Sequence, residues 1–153
     1  MARKPVILDT NLLLLLVVGE TDKAMVDRHR RLQIYTLDDF VWVRQQVNAS
    51  AGLILCPNII TETSNLIRYS SNRDAASIAE VFKLVVGQFH ETYIPSTSAV
   101  QRQEHGRLGV TDSVLLILAN SMAQLITDDL DLALAADRAG ADVINYNHIR
   151  DNR

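Results

Sequence analysis

The feature that most constrains the fold is an apolar run near the start of the chain that stops at a carboxylate. Residues 6–8 are Val, Ile and Leu; Asp9, Thr10 and Asn11 follow, and residues 12–18 are again all apolar. This order predicts a buried strand, a tight turn and a buried helix. Asp9 would then lie at the carboxyl end of the strand, the edge at which open α/β sheets bind their ligands.

Strand-like and helix-like segments alternate along most of the chain. Residues 53–56, 125–126 and 142–145 have the length and composition of short strands, and helical patterns separate them. Pro57 is expected to end the first of these strands, and Asn58 to start a helix that reaches about Ser70. The alternation predicts one α/β domain over residues 1–153, an α/β/α sandwich with a central parallel sheet.

Three further signals predict where helices begin in the middle of the chain. Thr36 with Asp39 three residues later is a weaker relative of the capping box. Asp74 is expected to cap a helix whose apolar residues continue to Phe89. The run that begins at Pro95 predicts a polar helix through residue 105.

Composition and charge limit the classes of partner. The chain has 153 residues, of which 48% are hydrophobic, and this is enough to bury a core without disulfides. A net charge of −3 means that binding to nucleic acid needs a local basic patch or bound cations. The single cysteine, Cys56, is expected in the core and fits a reducing compartment. The apolar run 12–18 is too short for a membrane span, so we expect a cytoplasmic protein.

Four acidic residues occupy similar places in the predicted elements. Asp9 and Asp129 follow strand-like runs, whereas Glu62 and Asp112 lie in the early turns of helices that should be largely buried. In a parallel α/β fold these places share one edge, so the four carboxylates can converge. Taken singly, Glu62 and Asp112 are explained equally well by the preference of helix N-termini for acids.

Such a carboxylate cluster predicts a hard divalent cation. Crowded carboxylates resist ionising, and either a proton or a cation relieves their repulsion. Oxygen-only ligands suit Mg²⁺ or Mn²⁺, and the Cys and His spacings typical of zinc sites are missing from the sequence. Carboxylates that hold one or two such ions are a common device for phosphodiester hydrolysis.

The order of these motifs resembles that of the PIN-domain ribonucleases, which include the toxins of toxin–antitoxin pairs. The segments that carry the resemblance span most of the chain and are Asp9-Thr10-Asn11, Glu62 with Asn65-Leu66, Gly109 with Asp112, and Thr127 with Asp129 and Asp131. The resemblance implies a PIN-like fold and a Mg²⁺- or Mn²⁺-dependent endoribonuclease that cuts RNA. It also implies two candidate partners, an antitoxin protein and a second copy of the chain.

The resemblance also assigns roles to single residues. The implied catalytic and metal-binding residues are Asp9, Glu62, Asp112 and Asp129. Asn11 and Thr127 would orient them through hydrogen bonds, and Asp131 would be a supporting carboxylate. The adjacent Asp128 is an alternative to Asp129, which we prefer for its register in the motif.

The segment from Gly19 to Asn48 is longer than in the compact toxins. It contains the run Arg28-His29-Arg30-Arg31, which either grips RNA phosphates or forms a solvated helix face. The exposed face of the helix that follows Asp74 is a candidate surface for pairing with a second copy.

Two other functions compete with the nuclease. One is a catalytically silent PIN-like module that binds RNA or protein. The other is a metal-dependent phosphatase or phosphotransferase on a similar sheet. Against the latter, the Asp-x-Asp-x-Thr opening of the haloacid dehalogenase-like phosphatases is absent, since position 11 is Asn, and the sequence has no Gly-rich phosphate loop.

Overall fold

A computed structural model describes residues 3–119 and 123–152 of the chain. The strands in these residues are β1 (Val6–Leu8), β2 (Ile54–Leu55), β3 (His90–Glu91), β4 (Gln124–Thr127) and β5 (Asp142–Asn145). The helices are α1 (Thr10–Thr21), α2 (Ala24–Arg28), α3 (Leu37–Ala49), α4 (Pro57–Ile67), α5 (Asn72–Gln88), α6 (Ser96–Ala99), α7 (His105–Leu108), α8 (Val110–Leu118), α9 (Leu130–Arg138) and α10 (Tyr146–Asp151).

The strand pairings in the described residues are all parallel. Three strands form a sheet in the order β1-β4-β5, with Leu125 of the central strand between Ile7 and Val143. β2 and β3 form a second parallel pair, and a parallel bridge between Val6 and Leu53 connects β2 to β1. The prediction of an α/β chain with a parallel sheet is therefore confirmed, and the strands end at a common edge.

α1 is the core helix of the protein. Residues 12–18 are all buried, and α1 packs against α2, α3, α4 and α5. Burial of each leucine side chain in α1 stabilises the folded protein by about 1.5–3 kcal/mol. The predicted tight turn after Asp9 is wrong, because the Asp9 side chain accepts a hydrogen bond from the N–H of Thr10 and caps the helix directly. Thr10 and Asn11 therefore belong to the first turn of α1.

Two predicted helix starts need correction. α4 begins at Pro57 rather than Asn58, because proline fits the first helical position, where no N–H is needed. This helix ends at Ile67, short of the predicted Ser70. Ser71, not Asp74, caps α5: its hydroxyl accepts from the N–H of Asp74 at 3.1 Å.

The predicted polar helix over residues 95–105 is also wrong. It is divided into α6 and α7, because the segment lacks an apolar stripe that would bury a continuous helix. Ala99 is buried, and Glu104 is buried in an ion pair with Arg102 at 3.0 Å. The pair fixes the turn that leads into α7.

The segment that follows α1 is built onto the core. The predicted capping box is confirmed: Thr36 and Asp39 exchange both hydrogen bonds at the start of α3. Asp39 is buried and also accepts a hydrogen bond from the hydroxyl of Tyr146 in α10. The segment therefore joins the N-terminal core to the last helix.

Cys56 is a core residue, as predicted. It is 1% exposed, and burial raises the pKa of its thiol. No helix in the described residues combines the length and the apolar character that crossing a membrane requires.

Candidate functional site

The site is organised by the ends of the neighbouring strands β1 and β4. Asp9 follows β1, and Thr127 is the last residue of β4. The buried Thr127 hydroxyl donates to Asp9 Oδ2 at 2.6 Å and accepts from the N–H of Asp129 at 3.0 Å. Asp129 in turn caps α9, since its Oδ1 accepts from the N–H of Leu132 at 3.2 Å. The Thr127 hydroxyl thus binds the Asp9 carboxylate and the backbone of Asp129.

Two helices bring the other two predicted acids to this edge. Glu62 lies in the second turn of α4, where Thr10 donates to its Oε1 at 3.2 Å and Thr111 donates to its Oε2. Asp112 lies in the first turn of α8. Gly109 caps that helix with φ +89°, a conformation that a residue with a side chain rarely adopts.

One cavity of about 420 Å³ contains all four predicted acids. The described residues that line it are Asp9, Thr10, Asn11, Arg31, Glu62, Asn65, Leu66, Asp112, Asp128 and Asp129. Five of these are acidic, and Arg31 is the single cation among them. We name this cavity the acidic pocket.

Burial and mutual repulsion raise the pKa values of two carboxyls in the acidic pocket. Burial raises the pKa of Asp9 to about 6, although the hydrogen bonds from Thr127 and Thr10 oppose the rise. Burial, and then the charges of Asp9, Asp129 and Glu62, raise the pKa of Asp112 to about 7. Both carboxyls would ionise more readily with a cation beside them.

The donor chemistry fits a hard divalent cation, but the carboxylates do not form a closed cage. Within residues 3–119 and 123–152, no group of three or more His, Cys, Asp or Glu side chains is placed to hold a metal ion. The oxygen donors are nevertheless those that Mg²⁺ and Mn²⁺ prefer, and a bound cation would favour the ionised forms of Asp9 and Asp112, which burial and neighbouring carboxylates disfavour.

The remaining predicted site residues differ in whether they line the acidic pocket. Asn11 lines the acidic pocket, whereas Asp131 is exposed in the first turn of α9 and is not among the described lining residues. Asp128 also lines the pocket; its carboxylate accepts a hydrogen bond from the Tyr35 hydroxyl, and its carbonyl accepts one from Asn147 at 2.7 Å. Asp128 is therefore engaged by residues that no motif indicated.

Sequence reasoning missed three contributors to the site. Thr10 and Thr111 hold Glu62, and each stands beside a predicted acid, so their hydroxyls could have been considered. Tyr35 had no such signal, because it is separated from its partner Asp128 by 93 positions. Desolvation and its bond to Asp128 raise the pKa of the Tyr35 hydroxyl, which remains a donor.

Comparison of the chain with models of protein families, with curated proteins and with solved structures finds no significant match.

Proposed function

We propose that the protein is a metal-dependent endoribonuclease with a PIN-like α/β/α architecture, which hydrolyses phosphodiester bonds in RNA. The observation that supports this most is the shared lining of the acidic pocket by Asp9, Glu62, Asp112 and Asp129. These acids come from four separate parts of the chain, and structural capping alone does not require that they meet. The order of the sequence motifs supports the same function.

In this proposal the four acids would hold Mg²⁺ or Mn²⁺. The bound cation would offset the negative charge of the carboxylates and of the substrate phosphate and would activate water. Thr127 and the N–H of Thr10 fix the orientation of the Asp9 carboxylate. Thr10 and Thr111 hold both oxygens of Glu62. Such hydrogen bonds set the direction in which a carboxylate presents its free lone pairs.

Cleavage of labelled RNA by the purified full chain tests the proposal. We expect cleavage with Mg²⁺ or Mn²⁺ and none with EDTA. Asp9→Asn and Asp112→Asn should each reduce the rate by more than about 100-fold, the upper range for residues that merely orient a metal ligand. Asp137→Asn, an exposed position in the last turn of α9, is the matched control. Cleavage that survives both EDTA and Asp9→Asn would contradict the mechanism.

A catalytically silent PIN-like module is the second candidate. In the described residues, no three or more His, Cys, Asp or Glu side chains are placed together to hold a metal ion, and this observation favours the silent module. RNA binding without cleavage in either metal would distinguish this module from the nuclease. Pairing with an antitoxin protein or with a second copy stays a prediction from the family resemblance. Co-purification and light scattering test these two partners.

A further inference from the structure

The basic run at residues 28–31 does not act as one surface. Arg28 forms a two-bond ion pair with Asp74, at 2.7 Å from Nε and 3.0 Å from Nη2. His29 is 1% exposed, and its Nδ1 accepts a hydrogen bond from the N–H of Arg31 at 3.2 Å. These two residues hold the segment in place, and the two arginines that follow them are exposed.

Arg30 and Arg31 both contact Tyr69, which follows the end of α4. Their guanidinium carbons lie 5.8 Å and 5.2 Å from the centre of the Tyr69 ring. The backbone N–H and Nε of Arg30 also donate to the Tyr69 carbonyl, at 3.2 Å and 3.4 Å. The tyrosine is 41% exposed despite these contacts. We name Arg30, Arg31 and Tyr69 the Arg–Tyr platform.

The Arg–Tyr platform is continuous with the acidic pocket. Arg31 lines the pocket, and so do Asn65 and Leu66, which lie just before Tyr69 in the chain. Unlike Arg28, Arg31 has no carboxylate within 4.0 Å among the described residues. Its guanidinium is therefore available for an anion that enters the pocket from solvent.

The side chains of the Arg–Tyr platform suit the phosphate and the base of an unpaired nucleotide. A guanidinium binds phosphate oxygens with two parallel hydrogen bonds. Exposed tyrosine rings and guanidinium planes stack on bases, and only an unpaired base presents its whole face for this contact. A phosphate beside Arg31 would lie at the acidic pocket, and its base would reach Tyr69.

We propose that the Arg–Tyr platform is the subsite for an unpaired nucleotide of the substrate, and that Arg31 and Tyr69 select single-stranded over duplex RNA. The proposal rests on the proposed function, because it assigns a substrate class to the same pocket. It differs from a general basic patch in assigning phosphate binding to Arg31 and base stacking to Tyr69.

Equilibrium binding to a fluorescent single-stranded RNA, in EDTA so that no metal supports cleavage, tests the platform. Tyr69→Ala should weaken binding by about 5-fold or more, the lower range for loss of one stacked base. Arg31→Ala should also weaken binding, because it removes a phosphate contact. Tyr69→Phe, which keeps the ring, should bind like the wild type. Arg44→Ala is the matched control, because Arg44 also lies over an aromatic ring, 5.1 Å from the centre of Phe40, but does not line the acidic pocket.

Salt dependence separates the two roles. Arg31→Ala should reduce the slope of log affinity against log salt by about 0.7, the value for one lost phosphate contact on a single strand. Tyr69→Ala should leave that slope unchanged. A duplex of the same sequence should bind more weakly than the single strand, with little effect of Tyr69→Ala.

The outcomes distinguish this inference from the nuclease proposal. Binding that depends on Arg31 and Tyr69, without cleavage in either metal, would support the platform and overturn the nuclease. Cleavage by a protein whose single-strand affinity is unchanged in both variants would overturn the platform. Equal affinity for duplex and single strand would overturn it as well.

Discussion

The Thr127 hydroxyl donates a 2.6 Å hydrogen bond to Asp9 Oδ2 and so joins the ends of two neighbouring parallel strands. The same oxygen accepts from the N–H of Asp129. Thr127 is 0% exposed, so an apolar substitute would remove a partner from both acids in a place where water does not readily replace it. One hydroxyl thereby binds the carboxylate of Asp9 and the backbone of Asp129.

Thr127→Val should lower both stability and activity. Loss of a buried partner costs about 1–3 kcal/mol of unfolding free energy. Misorientation of Asp9 and Asp129 should reduce RNA cleavage by about 10–100-fold. Urea unfolding and initial cleavage rates measure the two effects. Thr127→Ser keeps the hydroxyl and should restore most of both; a serine variant as impaired as the valine variant would contradict the role of the hydrogen bond.

Stability without metal should fall as pH rises. The folded-state pKa values of Asp9 and Asp112, about 6 and about 7, lie above the ordinary 3.8. The folded state therefore binds more protons than the unfolded state between roughly pH 4 and 7, and the contribution of these groups is lost as pH rises through that window. In EDTA, we expect an unfolding free energy about 1–3 kcal/mol lower at pH 8 than at pH 5, less than the full pKa shifts imply, because solvent screens the partly exposed Asp112.

Comparison with a variant isolates this effect from other titrating groups. Burial lowers the pKa of His29, so this histidine acts in the opposite direction at low pH. Asp112→Asn removes one of the raised groups and should flatten the difference between pH 5 and pH 8, whereas Asp137→Asn should not. Equal pH dependence in wild type and Asp112→Asn, measured by urea unfolding, would show that the crowding of acids does not weaken the fold.

Divalent cations should stabilise the native protein at pH 8. A ligand that binds only the folded state adds about 2.7 kcal/mol when its concentration is 100 times the Kd. Titration with Mn²⁺ should raise the Tm of the wild type, and much less that of Asp9→Asn with Asp112→Asn. Sodium chloride at matched ionic strength is the control. A Tm shift of equal size in the double variant would indicate binding elsewhere.

The strand ends were predictable because their signal is local. Apolar runs stop at Asp9 and at Thr127, and parallel pairing brings such ends to one edge whatever lies between them. The same reasoning placed Glu62 and Asp112 at the pocket, because they lie in the early turns of two helices. Asp131 is not among the described residues that line the pocket, because it lies two residues beyond Asp129, on a different side of α9.

Contacts between segments that are distant in the chain have no local pattern in the sequence that would predict them. Asp74 suits a helix cap by its chemistry, but Ser71 is as suitable and lies three residues earlier. Asp74 is instead paired with Arg28, which lies 46 positions away, and no periodicity encodes that pairing. β3 and α10 were missed for another reason, since elements of two and six residues are too short for periodicity to identify them.

The packing of α3 on α1 depends on Gly19. A Cβ added there would lie 2.1 Å from Cδ1 of the buried Phe40 ring, and the buried ring has little room to move. Gly19→Ala should therefore lower the unfolding free energy by about 1–3 kcal/mol, as overpacking does. Gly87→Ala, in open space within α5, is the control and should raise it by about 0.4–1 kcal/mol. Equal stability of the two variants in urea would refute this close contact.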